Sequence, residues 1–331
     1  MGSGDLGPGD SRNLAGAISR ILADVNFADL SQAARALSAR YRAGEAAVVK
    51  ADIDTMAYVA TRLPATFGSA SLAMECAAEL MPSFAPQSQL DLGAGPGAAA
   101  WAAAGVWPSI ETVALWERDD RVTRVGEQLA LNSFPGWTWQ RSDMRQSLDV
   151  RADLVTATYA LGELDRTDVR DVASRAWDAT TGCLVIVEPG TPAGFSLIRD
   201  LRDHLIREGA TLIAPCPNAD ACPIAGDDWC HFAARVSRSA LHRQLKGGER
   251  SFEDEKFSYV VFTRQRDLSR AAGRVVRRPV RRRRFVELSV CRAGQIERIG
   301  LGRSHSGYAV ASKLVWGAAV PEATLDPPSP T

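Results

Sequence analysis

The sequence has no apolar run long enough to span a bilayer, and Met1 to Asp10 lacks both the basic and the apolar region of a secretory signal. Neither a helical membrane protein nor a secreted one is expected; the expected compartment is cytoplasmic, with no membrane partner. Cysteine is sparse, six in 331 residues: Cys76, Cys183, Cys216, Cys222, Cys230 and Cys291. In a reducing compartment these do not form a disulfide framework, so any that cluster become candidates for metal or redox chemistry. Net charge is missing too, since 39 basic residues balance 39 acidic ones. The balance is uneven. From Arg264 to Arg303 thirteen arginines and no lysine stand against Asp267, Glu287 and Glu297, a local +10 that leaves −10 for the rest of the chain. A block built from arginine alone favours forked contacts to phosphates and bases, with a merely solvated face as the alternative.

With 46% hydrophobic and 24% charged residues, the composition is that of a folded chain able to bury a substantial core. Apolar residues recur at helical spacing from 11 to 82, with Pro64 interrupting the second run, so residues 1–85 read as an N-terminal helical region. Short apolar runs then alternate with helical stretches, the pattern of an α/β sheet with parallel strands. Strands are expected at Gln89 to Leu92, Thr112 to Trp116, Thr138 to Gln140, Leu154 to Thr158, Cys183 to Glu188 and Phe257 to Thr263. Helices are expected at Ala98 to Ala104, Arg121 to Asn132 and Val169 to Trp177. This gives a Rossmann-type domain over 86–265, with a cysteine-rich insertion at 214–232. Residues 266–322 read as an Arg-rich β appendage with strands at Phe285 to Cys291 and Tyr308 to Val315, and 323–331 as a Pro-rich disordered tail.

The first expected strand runs into Leu90-Asp91-Leu92-Gly93-Ala94-Gly95-Pro96-Gly97 and then a small-residue helix, the context a nucleotide-binding glycine loop requires. Glu117 ends the second strand, where an acidic side chain accepts hydrogen bonds from ribose hydroxyls. Asp143 follows the third, placed for an adenine amino group. The third glycine sits one position too early for the dinucleotide pattern, and the set is similar to the S-adenosylmethionine-dependent methyltransferase version of the fold. A catalytic signature is lacking. No Asn or Asp followed by two prolines and an aromatic ends the fourth strand, where Thr158-Tyr159-Ala160-Leu161-Gly162-Glu163-Leu164 stands instead. Glu163 and Tyr159 are the remaining catalytic candidates. Cys76 and Cys183 read as small core residues.

Cys216, Cys222, Cys230 and Cys291 form the pattern C-x5-C-x7-C-x60-C. The tight C-x2-4-C knuckles of structural zinc are absent, as is the C-x3-C-x2-C run of a radical enzyme. Irregular spacing beside prolines suits an iron–sulfur cube with one thiolate per corner, while zinc or unligated thiols stay open and His231 is an alternative ligand.

These residues, with Arg62-Leu63-Pro64-Ala65-Thr66, Val187-Glu188-Pro189-Gly190 and Asp228-Trp229-Cys230-His231-Phe232, resemble the methyltransferase-like assembly factors of the mitochondrial small ribosomal subunit and their bacterial relatives, over roughly residues 55 to 318. The resemblance implies a 4Fe-4S cluster on Cys216, Cys222, Cys230 and Cys291, and a nucleotide site that includes Asp91, Gly93, Gly95, Gly97 and Glu117. It implies small-subunit rRNA as partner, with ribosomal proteins as a second class, and an RNA face at Arg274, Arg277, Arg278, Arg281, Arg282, Arg283 and Arg284. Three functions follow as expectations: an rRNA-binding assembly factor, an active rRNA or ribosomal-protein methyltransferase, and a small-molecule methyltransferase with structural zinc.

Overall fold

A computed structural model describes residues 10–42, 51–131, 133–266, 268 and 271–325. Among the described residues four helices come first: α1 (Asp10–Ile21), α2 (Phe27–Arg42), α3 (Asp52–Thr61) and α4 (Leu63–Leu80). The break between the last two falls at Arg62, with Pro64 in the first turn of α4, where its missing N–H costs no helical hydrogen bond.

The alternating part runs β1 (Ser88–Leu92), α5 (Ala98–Val106), β2 (Thr112–Glu117), α6 (Asp120–Ala130), β3 (Trp137–Arg141), β4 (Ala152–Thr158), α7 (Arg166–Ala179), β5 (Thr180–Pro189), α8 (Pro192–Arg207), β6 (Thr211–Ala214), β7 (Phe232–Ser237), α9 (Ala240–Lys246) and β8 (Phe252–Thr263). The sheet order is β3-β2-β1-β4-β5-β8-β6, with β7 also on β8. The first five strands are parallel, and β8 is antiparallel to all three of its neighbours. A Rossmann sheet with one reversed strand inserted beyond the fifth is the methyltransferase version of that fold. The central strands are buried on both faces. In β5, Val185 and Val187 join the core under α4 and α5, while Leu184 and Ile186 join the core under α7 and α8. The alanine-rich α5 packs close to the sheet, and its one large residue, Trp101, meets Phe134 and Trp137 edge-on at 4.9 and 5.6 Å.

The edge strands β6 and β7 add to the expected elements. Both pair with β8, at its two ends, so residues 215–231 leave the sheet and return to the same strand. A second sheet follows: β9 (Gly273–Val275), β10 (Val280–Arg282), β11 (Phe285–Arg292), β12 (Gln295–Gly302), the short α10 (Tyr308–Ala311), β13 (Ala319–Val320), then α11 (Glu322–Leu325). The stretch from Tyr308 was expected as a strand and is a helical turn. Gly307, whose backbone approaches the Thr324 carbonyl too closely for a Cβ, opens it. Of the expected tail, Glu322–Leu325 is helical, and 326–331 lie outside the described residues, as does Asn132 at the expected end of α6. No helix among the described residues is long and apolar enough to cross a membrane.

Candidate functional site

The glycine loop leaves β1 between β2 and β4. Gly93, Gly95 and Gly97 all take positive φ, at 66°, 56° and 93°. A Cβ on Gly93 would lie 2.5 Å from Ala160, whereas one on Gly95 would meet nothing within 4 Å, so the loop is packed on one side and open where a ligand would lie. Glu117 braces it: its carboxylate accepts hydrogen bonds from the backbone N–H groups of Gly95, Arg118 and Asp119, at 3.0, 2.8 and 2.9 Å. Trp139 donates its indole N–H to the Gly95 carbonyl and packs against Gly97 and Gly126. Asp91 lies beneath the loop, 1% exposed. It accepts from the Thr156 hydroxyl at 2.7 Å, while Oδ2 has no partner among the described residues; burial pushes the carboxyl up to about 7. Asp91 therefore lies under the loop, closed off from its open side. Asp143 is held by the Arg145 guanidinium, whose hydrogen bonds lower its carboxyl to about 2.

The two catalytic candidates stand in different surroundings. Glu163 is exposed and pairs with Arg118 at 3.3 Å, across from the second strand. Tyr159 has φ +56°, which a bulky residue rarely takes, and is pinned by its N–H to the Val187 carbonyl and by its hydroxyl, which donates to Glu255 on β8 at 3.1 Å. Burial and the Glu255 charge raise that phenol well above its ordinary range. A residue not singled out for the site organises this loop. Glu188, 2% exposed at the end of β5, accepts the N–H groups of Leu161 and Gly162 at 3.0 and 3.1 Å, and burial pushes it up to about 7. An acidic residue closing the apolar run Leu184 to Val187 was the available signal.

Cys216, Cys222, Cys230 and Cys291 all line one cavity, whose empty space, open mouth included, is about 720 Å³. Three come from the excursion between β6 and β7, and the fourth from β11, where period-two alternation sends Val286, Leu288 and Val290 into the small core and leaves Cys291 on the other face. Burial raises the Cys216 and Cys230 thiols and pushes Cys291 up to about 12. Among the described residues no three His, Cys, Asp or Glu side chains are gathered closely enough to hold a metal ion. His231 does not line the cavity. Its ring stacks on Trp229 at 5.2 Å and meets Trp316 edge-on at 5.0 Å. Cys183 is fully buried in β5 and Cys76 lies in α4, packed against the core, as expected of core residues.

The expected RNA face divides. Arg274 is 1% exposed and cannot reach a polyanion on the surface; its guanidinium donates to the carbonyls of Pro215 and Gly317. Arg277 pairs with Asp228, and Arg281 donates to the carbonyls of Ser312 and Leu314. Arg278, Arg282, Arg283 and Arg284 are exposed, and Arg283 and Arg284 form the tip of the β10–β11 hairpin.

A family model described as mitochondrial small ribosomal subunit Rsm22 matches residues 52–321. The chain is 27% identical over 300 residues to the human mitochondrial ribosome assembly protein METTL17, covering 83% of this chain and 64% of that protein. It is 24% identical over 362 residues to the mitochondrial Rsm22-cox11 tandem protein 2 of Schizosaccharomyces pombe, covering 92% of this chain and 48% of that one. It thus spans less than two thirds of the length of either relative. Among solved structures, magnesium protoporphyrin IX methyltransferase from Synechocystis with bound S-adenosylhomocysteine aligns at TM-score 0.41 and 11% identity, over 68% of this chain and 93% of that one. The N-methyltransferase NodS of Bradyrhizobium japonicum aligns at 0.38 and 15%, over 58% and 84%.

Proposed function

Because the chain belongs to the Rsm22 family of the mitochondrial small ribosomal subunit, we propose that it is an assembly factor that binds small-subunit rRNA, with S-adenosylmethionine as a ligand and a thiolate-held metal centre as part of its RNA-binding architecture. One observation carries the reading: β11 joins the arginine hairpin at one end to Cys291 in the cysteine cavity at the other. Arg278, Arg282, Arg283 and Arg284 would meet phosphates, and ribosomal proteins are the second class of partner. In the nucleotide cleft Gly93 to Gly97 would pass close to the ligand, Glu117 would take the ribose hydroxyls, and Asp143 would exchange Arg145 for the adenine amino group.

The donor chemistry of the cavity fits a metal centre, since four thiols line it from segments distant in sequence, with Asp220 the one carboxylate residue beside them. Their irregular spacing beside prolines, without tight C-x2-4-C knuckles, is what favours a 4Fe-4S cluster over zinc. When bound, such a centre would hold residues 215–231 to β11; the chain's own part is to supply the thiolates from Cys216, Cys222, Cys230 and Cys291. The test is anaerobic purification with iron and sulfide analysis, followed by RNA filter binding. Iron and sulfide with tight, salt-dependent RNA binding are expected; a metal-free protein indifferent to RNA overturns the reading.

A second reading, an active methyltransferase for rRNA or a ribosomal protein, is favoured by the open side of Gly95. Transfer of labelled methyl to immature small subunits decides it. The loop after β4 speaks against it, because Glu188 and Glu255 hold its backbone and the Tyr159 hydroxyl from inside the protein.

A further inference from the structure

Arginine cannot shed its charge inside a protein, so a buried guanidinium needs a buried anion or an unusual number of acceptors. Arg274 is 1% exposed, and its hydrogen bonds go to the carbonyl oxygens of Pro215 and Gly317 rather than to a carboxylate. Its Nη2 is buried with no partner among the described residues. In the β9–β11 register Arg274 lies opposite Cys291, and Pro215 immediately precedes Cys216, so this one side chain touches the approaches to two cysteines from unrelated segments. Arg202, 4% exposed on α8, lines the same cavity. It holds the Asn218 and Asp220 carbonyls of the cysteine loop and pairs with Asp203 through Nη1, while its Nε has no partner among the described residues.

Two buried cations thus border a cavity lined by four thiols and a single carboxylate residue, Asp220. Four thiolates around either a zinc ion or an oxidised iron–sulfur cube carry a net charge of about −2. We infer that Arg274, assisted by Arg202, is the built-in counter-charge of a doubly negative thiolate-bound metal centre, and so a positioning residue that sets its affinity and reduction potential. The inference rests on the metal-centre reading above and adds to it the residues that make the cavity electrically suited to an anion. In a site this buried the effect is little screened by salt.

The experiment reconstitutes the full chain anaerobically with ferrous iron and sulfide, then measures iron, sulfide and midpoint potential in wild type, Arg274→Gln, Arg274→Lys and Arg298→Gln. Arg298 is an exposed arginine on β12 and reports the loss of a distant charge. Arg274→Gln is expected to shift the potential to more negative values, Arg274→Lys to restore most of it without the two-carbonyl fork, and Arg298→Gln to match wild type. If Arg274→Gln holds no cluster while Arg274→Lys does, the charge is again responsible; if both lose it equally, the carbonyl bonds alone matter and the inference fails. A loaded Arg274→Gln with wild-type potential also overturns it. A wild type that takes zinc but no sulfide overturns the iron–sulfur reading alone: zinc affinity should then fall by about tenfold or more in Arg274→Gln and recover in Arg274→Lys, and equal affinity would end the inference. A wild type that takes neither metal overturns the metal centre and this inference with it.

Discussion

Glu188 shows how one side chain ties fold to pH. Its folded value of about 7 lies above the ordinary 4.5, so the folded state prefers the protonated form. Its contribution is intact below pH 4.5 and is lost as pH rises towards 7, a span worth about 3 kcal/mol at 1.36 kcal/mol per unit. Asp91 acts in the same direction, also rising to about 7. Urea midpoints should therefore fall between pH 5 and 7.5 from these two groups, and Glu188→Gln, whose carbonyl oxygen can still accept from Leu161 and Gly162, should flatten the dependence. An unchanged slope would mean that Glu188 titrates normally. At Gly95, where a Cβ meets only open space but φ is +56°, Gly95→Val should leave the protein folded at a strain cost of about 1–2 kcal/mol and abolish S-adenosylmethionine binding in calorimetry. Equal affinity would move the ligand elsewhere. Residues of this kind were legible because the loop is local: Asp91, the three glycines and Glu117 follow from two strand ends. The burial of Arg274 was not, since it depends on a carbonyl 59 positions away, and in sequence it looks like any other member of the arginine block.

Among elements, the central parallel strands β1, β4 and β5 announced themselves through continuous apolar runs, because both of their faces are buried. The edge strands β6 and β7 did not: the first is four residues long, and the second alternates buried and exposed positions around Arg235. The turn of the β10–β11 hairpin carries no glycine, so the sequence offered no turn signal for it. Arg284 occupies the left-handed region there, at φ +62°, a conformation that glycine takes without penalty. Strain kept at an exposed tip of two arginines is consistent with selection for charge over stability. Arg284→Gly should then raise the unfolding free energy by about 1 kcal/mol in urea titration while weakening RNA binding. A variant that loses stability would show that the Arg284 side chain holds the hairpin.

Across the whole molecule, the hairpin, the small sheet and the cysteine excursion form one mechanical path. Cys291 lies on the same strand as the hairpin's second arm, and β9, carrying Arg274, pairs with β11 at Cys291 itself. A centre that ligates Cys291 with Cys216, Cys222 and Cys230 would fix the arginine hairpin relative to the larger sheet, since ligation couples segments far apart in sequence. Neutralising Arg278, Arg282, Arg283 and Arg284 should weaken RNA binding broadly and flatten its dependence on salt, because each lost phosphate contact removes a released counterion, about 0.7 to 0.9 in the logarithmic slope. Cys291→Ser removes no positive charge. It should nevertheless reduce RNA affinity in the folded protein, and leave the salt slope closer to wild type than the four-arginine variant does, because the phosphate-contacting side chains remain but are less well held. Filter-binding titrations over several salt concentrations separate these effects. A four-arginine variant with the wild-type slope would place the RNA face elsewhere, and a Cys291→Ser protein that lost its metal yet bound RNA as tightly as wild type would sever the cavity from the hairpin.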